Sequence, residues 1–406
     1  MQGKRIVYLG AFCLALVVVV GARYVFEETA VAQGQGRAYQ VRPLWPQPLP
    51  YHWIFGSVTG VTVDAQDNIW VTHRGADSLG NNEKGMMLTP PTSSICCVAA
   101  PFVLQFDQAG QVIGSWGGPG DGYEWPQKPA GVAVDHNGNV WIAAAGNDPR
   151  PASRGRGRGR GGAPSAPPPG DAHVLKFSPT GEFQLQIGRA GRMGEPNSRT
   201  RLNRPTGFAF DAAANEVYIA DSGSHRVVVF DAGAGTYKRH WGAYGERPMA
   251  TGPGPYRAGA PPAKQFRDVT CVEIARDGMV YVCDRSSNRI QVFQKDGTFV
   301  KEAIVSETTL GATAPNGFRS YGAVWDLAFS TDPQQQYVFV ANGHDKKILI
   351  LERETLAQVG SFGDGGRQPG RMLAVGSITV DSSGNVYTGE DNEGKRVQKW
   401  VPAQGR

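Results

Sequence analysis

Apolar and polar residues alternate along this chain in short runs, and the runs come in pairs. GVTVDAQDNIWV from Gly60, GVAVDHNGNVWI from Gly131, GFAFDAAANEVYI from Gly207, CVEIARDGMVYV from Cys271, DLAFSTDPQQQYVFV from Asp326 and SITVDSSGNVYT from Ser377 share one order: an alternating run, a polar turn, a second β-rich run. Alternation at period two predicts strands. Recurrence at long period predicts one supersecondary unit stacked on copies of itself. A third run follows, as in HRVVVFD (225–231), NRIQVFQ (288–294) and KRVQKWV (395–401), and then a fourth, as in TYKRHWG (236–242), TFVKEAI (298–304) and AQVGSFG (357–363). The third and fourth are joined by turns such as Asp107 to Gly110, Ser178 to Gly181 and Lys295 to Gly297, where glycine supplies the positive φ of a tight hairpin. The pattern predicts an all-β protein, a six-bladed β-propeller with four strands per blade, over residues 56–401.

Taking Asp64, Asp135, Asp211, Ala275, Ser330 and Asp381 as equivalent positions gives intervals of 71, 76, 64, 55 and 51 residues. A minimal blade needs roughly 40 to 50 residues, so the early blades must carry long loops. The sixth repeat runs out at its third strand near Val401, which would leave one sheet with a free edge. The segment AYQVRPLWP (38–46), within an N-terminal arm at 33–55, is expected to supply the missing outer strand and close the ring. Residues 402–406 remain as a short tail.

The beginning of the chain follows a different pattern. Lys4 and Arg5 precede an apolar run from Ile6 to Ala22, and Ala30-Val31-Ala32 follows as an A-x-A site. This order predicts a secretory signal at 1–32 and an exported protein, periplasmic or extracellular. The 17 residues of the run reach the lower limit for crossing a bilayer, so an uncleaved anchor is the alternative, and it is the single membrane contact expected. The formal charge is +5, and four arginines of one tract, Arg154, Arg156, Arg158 and Arg160, account for most of it. Without that tract the exported chain is near neutral, which argues against a nucleic-acid-binding face. The tract belongs to a Gly-, Arg- and Pro-rich insertion at 150–171 that has nothing to bury and is expected to be disordered. Cys271 and Cys283 flank a turn centred on Asp277 and lie opposite one another, either as a cross-strand disulfide or as two buried thiols. Cys96 and Cys97 are adjacent, free or joined as a vicinal disulfide, and have no metal-site spacing.

The phrases ADSGSHRVVVF (220–230) and CDRSSNRIQVF (283–293) resemble the NHL repeat, which forms six-bladed propellers. More narrowly, the order PAGVAVD, PTGFAFD and CDRSSNRIQVFQKDGTFVKE, with HRGADSLGNNEKG, PPTSSICC and SWGGPGDGYEWP, is similar to the propeller of peptidyl-α-hydroxyglycine α-amidating lyases and their bacterial relatives. The resemblance implies a zinc ion held in the channel by three histidines heading the innermost strands of blades two, four and six. Three imidazoles with an open fourth position suit a catalytic zinc. Here those places hold Ala130, Thr270 and Gly376, and the family's tyrosine gives way to Asp221, Ser222, Gly223 and Ser224. A zinc cofactor is therefore not expected. A structural calcium ion on backbone carbonyls would leave no side-chain signature.

What the resemblance retains is arginine: Arg285 matches a rim arginine and Arg74 stands where blade one supplies another. Arginine suits a carboxylate held bidentately. Trp325 and Asp326 stand near the expected channel mouth, and Glu390 shares with Asp221, Asp284 and Asn342 the end of a second strand, where repetition favours capping of nearby backbone N–H groups. His73, His225 and His344 sit at second-to-third-strand turns and read as inter-blade packing. The chain lacks nucleophile-elbow, zincin, phosphate-loop and haem motifs. Two readings follow. One is a binding protein for a small molecule, peptide or protein ligand at the channel face, on a degenerate lyase-like site. The other is a lyase or hydrolase of altered chemistry that uses the arginines with Asp326 or Glu390.

Overall fold

A computed structural model describes residues 39–145, 170–309 and 322–403. Six four-stranded antiparallel sheets carry the predicted strands. Blade one comprises Val58–Val63, Ile69–His73, Val103–Phe106 and Val112–Trp116; blade four comprises Val269–Ile274, Val280–Asp284, Arg289–Phe293 and Phe299–Ile304. Innermost strands pack side by side around the ring, and Val375–Val380 of blade six returns to Val58–Val63 of blade one. Blade six is completed as expected: Tyr39–Val41 pairs antiparallel with Arg396–Pro402, with Tyr39 opposite Pro402 and Val41 opposite Trp400. A short parallel pair, Trp53–Ile54 with Val98–Ala99, ties the blade-one loop to the arm that follows the closing strand.

The recurring aspartate explains the recurring turn. Asp64 Oδ1 accepts the backbone N–H groups of Gln66 and Asn68 at 2.9 Å each, while its Oδ2 accepts the indole N–H of Trp70 at 2.9 Å. Asp135 repeats this with Asn137, Asn139 and Trp141, and Asp381 with Ser383, Asn385 and the hydroxyl of Tyr387. One carboxylate thus fixes the turn and anchors the aromatic side chain that the next strand buries.

Neighbouring blades lock by a wedge and a glycine. A Cβ on Gly181 would stand 2.9 Å from the Trp116 indole, one on Gly297 2.8 Å from that of Trp241, and one on Gly110 2.8 Å from that of Trp45. In each case the outer hairpin of one blade makes room for a large side chain, from the blade before for Trp116 and Trp241 and from the arm after the closing strand for Trp45. Between blades four and five the sizes are exchanged. Ala303 holds the wedge place, and Leu356, buried and at φ 58°, holds the turn place within the same apolar cluster.

The strand order leaves one face of the ring with tight turns such as 64–68 and 135–139. The other face carries the connections 74–102 and 242–268 and the described ends of two more, at 145, 170–172, 305–309 and 322–325. The long intervals of the early repeats are spent there. The insertion assigned to 150–171 falls largely outside the described residues, but its boundary is corrected. Asp171 is buried, and its carboxylate accepts the backbone N–H groups of Gln127 at 3.2 Å and Lys128 at 2.9 Å, which fixes the chain by that residue. The signal segment and the RG tract also lie outside the described residues.

Candidate functional site

Each innermost strand is hydrogen-bonded on one side only, so its other edge borders a central channel. The channel encloses about 640 Å³ and is lined by all six blades. That is within the range of small-molecule sites. Its uppermost ring is formed by the residues five positions before the repeat aspartates: Thr59, Ala130, Thr206, Thr270, Trp325 and Gly376. The sequence-inferred positions Ala130, Thr270 and Gly376 do line the channel.

These residues do not fit a zinc ion. Ala130 and Gly376 have no donor atom. Thr270 Oγ1 donates to the carbonyl of Val324 at 3.3 Å, and Thr206 Oγ1 to that of Val269 at 3.0 Å, so the hydroxyls join adjacent blades. A Cβ at Gly376 would already stand 3.4 Å from the Trp325 ring. No group of three or more His, Cys, Asp or Glu residues among the described residues is arranged to hold a metal. Beside these residues stands a stacked cation. The Arg285 guanidinium lies 4.6 Å from the centre of the Trp325 ring, whose N–H donates to the carbonyl of Gly322 at 2.9 Å.

Above this ring each blade supplies two rim residues, one preceding its innermost strand and one following its second. Blade one gives Ser57 and Arg74, blade two Lys128 and Ala145, blade three Arg204 and Ser222, blade four Asp268 and Arg285, blade five Ala323 and Gly343, and blade six Ala374 and Asp391. Arg285 donates from Nε at 2.9 Å and from Nη2 at 2.6 Å to Asp268 Oδ2, and Ser222 donates to Asp268 Oδ1 at 2.6 Å. Arg204 approaches the same carboxylate at 3.8 Å. Burial alone would raise the pKa of Asp268, but Arg285 and Arg204, with the Ser222 hydroxyl, hold it well below the usual carboxylate range. Arg74 pairs with Asp391 at 3.1 Å, leaving its buried Nε without a hydrogen bond. Arg74, Lys128, Arg204 and Arg285 therefore face two rim carboxylates, Asp268 and Asp391. The rim is net positive.

Two carboxyl groups lie deeper. Asp326 occupies a place where blades one to three have Gly60, Gly131 and Gly207. Its side chain crosses to blade six, accepting the N–H of Ile378 at 2.9 Å while also accepting that of Leu327 at 2.9 Å. Burial raises its pKa to about 7, against the pull of those two N–H groups. Glu273, of blade four, faces the channel midway down, and burial followed by the charge of Asp326 raises its pKa well above the ordinary range.

Of the sequence-derived candidates, the channel brings together Arg74, Arg285, Trp325 and Asp326. Glu390 is not among its lining residues, which corrects that assignment. It is fully buried inside blade six, bonded to Arg396 at 2.5 Å, to Gln398 at 2.9 Å and to the N–H of Leu373 at 2.8 Å. Asp221 and Asp284 are built alike: the first holds Arg226 at 2.8 Å and the N–H of Asn203, the second Arg289 at 3.0 Å and the N–H groups of Arg267 and Asp268. These carboxylates cap the connection entering the innermost strand, whereas Asn342 caps its own turn at Asp345. His73 Nδ1 accepts the N–H groups of Gly56 and Gly75, so Nε2 carries the proton, which it donates to the Pro101 carbonyl; burial lowers its pKa to about 4. It is a packing residue. Gly223, in the turn where the resemblance expects a tyrosine, lies against Asn203 so closely that a Cβ would stand 2.3 Å from its amide oxygen. Both cysteine pairs are disulfides, Cys271 with Cys283 across paired strands and Cys96 with Cys97. Lys128, Arg204, Asp268, Glu273 and Asp391 were not singled out from the sequence.

Fold and channel together define a six-bladed β-propeller with a ligand-sized central site. Residues 202–230, in blade three, match the NHL repeat. Among solved structures, the chain is similar to a protein of unknown function from Bacteroides thetaiotaomicron (12% identity, 90% of this chain and 76% of that one covered, TM-score 0.50). It is also similar to a streptogramin B lyase (10% identity, 90% and 98% covered, TM-score 0.47) and to the virginiamycin B lyase of Staphylococcus aureus (11% identity, 91% and 90% covered, TM-score 0.44). At these identities the likeness concerns the fold alone.

Proposed function

We propose that this chain is an exported binding protein whose propeller channel takes an organic ligand by an anionic group, on a site related to that of the amidating lyases but without their metal. The observation that carries this reading is the rim: Arg74, Lys128, Arg204 and Arg285 against Asp268 and Asp391, at the face where the long connections gather. Guanidinium groups recognise carboxylates by paired charge-assisted hydrogen bonds. Loops on a rigid scaffold are where binding residues concentrate. Arg285 is already oriented by Asp268 and Trp325, so little side-chain entropy is lost when an anion arrives. The partner in this reading is a small molecule or peptide, or a protein presenting such a group. Nucleic acid is not, because the cations form a small rim and not a stripe.

A second reading, a lyase or hydrolase of altered chemistry, draws on Asp326, whose pKa near 7 would suit a general base. It is disfavoured because both carboxylate oxygens already accept backbone N–H groups. Metal analysis of the purified protein, with an assay on a peptidyl-α-hydroxyglycine, separates the readings. The binding reading predicts sub-stoichiometric zinc and no turnover. One equivalent of zinc with chelator-sensitive turnover would overturn it.

A further inference from the structure

Glu273 stands two positions before its repeat residue, Ala275. The same place in blades one, two, three, five and six is taken by Thr62, Ala133, Ala209, Ala328 and Thr379. Thr62, Ala133, Ala328 and Thr379 line the channel with Glu273 and are neutral, whereas Glu273 is a carboxyl. It makes no hydrogen bond or ion pair with any described residue, although the nearby Asp326 is latched to blade six. A carboxylate withdrawn from bulk water without a partner is costly. The acids that end second strands, and the buried rim acid, are each held by an arginine: Asp221 by Arg226, Asp284 by Arg289, Glu390 by Arg396 and Asp268 by Arg285. Glu273 has no such partner, and it faces the cavity.

The cationic rim and this carboxyl lie on one axis. The Arg285 guanidinium lies over Trp325 of the ring, and from the ring position Thr270 to Glu273 is three residues of extended strand, which is about 10 Å at 3.3 Å per residue. We infer that the channel takes a zwitterion, with its carboxylate on the rim arginines and an ammonium group reaching down to Glu273, the two charges roughly 10 Å apart. This rests on the anion-binding reading of the rim and extends it to the other end of the ligand. A short peptide with free termini has this shape, since three extended residues span about 10 Å. The unpaired edges of the innermost strands offer its backbone N–H and C=O partners along the way.

Calorimetric titration of the full exported protein with trialanine, N-acetyl-trialanine and trialanine amide tests the inference. Trialanine should bind at least about tenfold more tightly than its N-acetyl form, in keeping with a charge-assisted contact. Glu273→Gln should erase that difference while leaving the affinity for N-acetyl-trialanine unchanged. Glu273→Thr, which copies blades one and six, should do the same and guards against a folding defect peculiar to the amide. Equal binding of trialanine and its N-acetyl form, or a preference that survives both substitutions, overturns the zwitterion and leaves the rim reading standing. Failure of both carboxylate-bearing probes to bind, or binding of the amide as tightly as the free acid, overturns the rim reading as well.

Discussion

The exchanged wedge between blades four and five makes a quantitative prediction. Leu356 is buried, and its backbone is left-handed at φ 58°, whereas the equivalent turns use Gly110, Gly181, Gly235 and Gly297. Leu356→Ala removes a packed side chain, which costs about 2–5 kcal/mol, and keeps the left-handed backbone. Leu356→Gly loses the same packing but relieves a left-handed penalty of about 1–2 kcal/mol, so it should be the milder change, opposite to the usual order. Ala303→Trp alone should overpack the site and destabilise by about 1–3 kcal/mol or more. In the Leu356→Gly background the same substitution rebuilds the Trp241 and Gly297 arrangement and should become favourable. The cycle therefore predicts a stabilising coupling of about 1–3 kcal/mol. Guanidinium unfolding followed by far-UV circular dichroism measures it. Additive effects, or Leu356→Gly costing more than Leu356→Ala, would refute the argument that the two positions exchange volume.

Arg226→Met should destabilise by about 3–5 kcal/mol, because it strands the fully buried Asp221 carboxyl, and the unfolding midpoint reports it. Replacing Cys271 and Cys283 together by alanine should cost about 3 kcal/mol for a closed loop of this length, seen as a lower unfolding midpoint than that of the native protein when both are measured without reductant. The pKa of Asp326 is raised to about 7 in the folded state, so its stabilising contribution is full below about pH 4 and is lost as the pH rises to about 7, by at most about 4 kcal/mol. Asp326→Asn should flatten the stability profile across that window, and an unchanged profile would show that Asp326 does not titrate there. Export predicts a mature N-terminus at Gln33, and N-terminal sequencing of protein from the native host that finds Met1 retained would contradict it.

The strands were legible because alternation is a local signal and the repeat supplies six independent readings of it. Even the closing strand could be inferred, since a sheet one strand short needs one segment and 38–46 was unassigned. The rim was only half legible. Arg74 and Arg285 follow their second strands inside recognisable phrases, while Lys128 and Arg204 precede the alternating runs and belong to no periodicity. Their signal was register: both stand seven positions before a repeat aspartate, as Asp268 does before Ala275. Glu273 was hidden inside CVEIA, where one charged residue fits a strand that is polar on one side. Only comparison with Thr62, Ala133, Ala328 and Thr379 sets it apart. Glu390 misled because an acid at a strand end looks available until its partner, Arg396, is found beside it. Asp171 was absorbed into the insertion because composition cannot show that a residue next to Gly170 caps a neighbouring connection.

The rim claim is tested most directly by the dissociation constant of N-acetyl-trialanine measured calorimetrically for the native protein and for Lys128→Ala with Arg204→Ala. These two side chains are the rim cations least committed to carboxylates, one exposed and the other 3.8 Å from an aspartate that Arg285 already holds. Their removal should spare the fold. The account predicts at least about tenfold weaker binding, with the native affinity falling as salt rises, because rim cations act through partly screened charge. An unchanged dissociation constant in the folded double variant, or an affinity indifferent to salt, would contradict it.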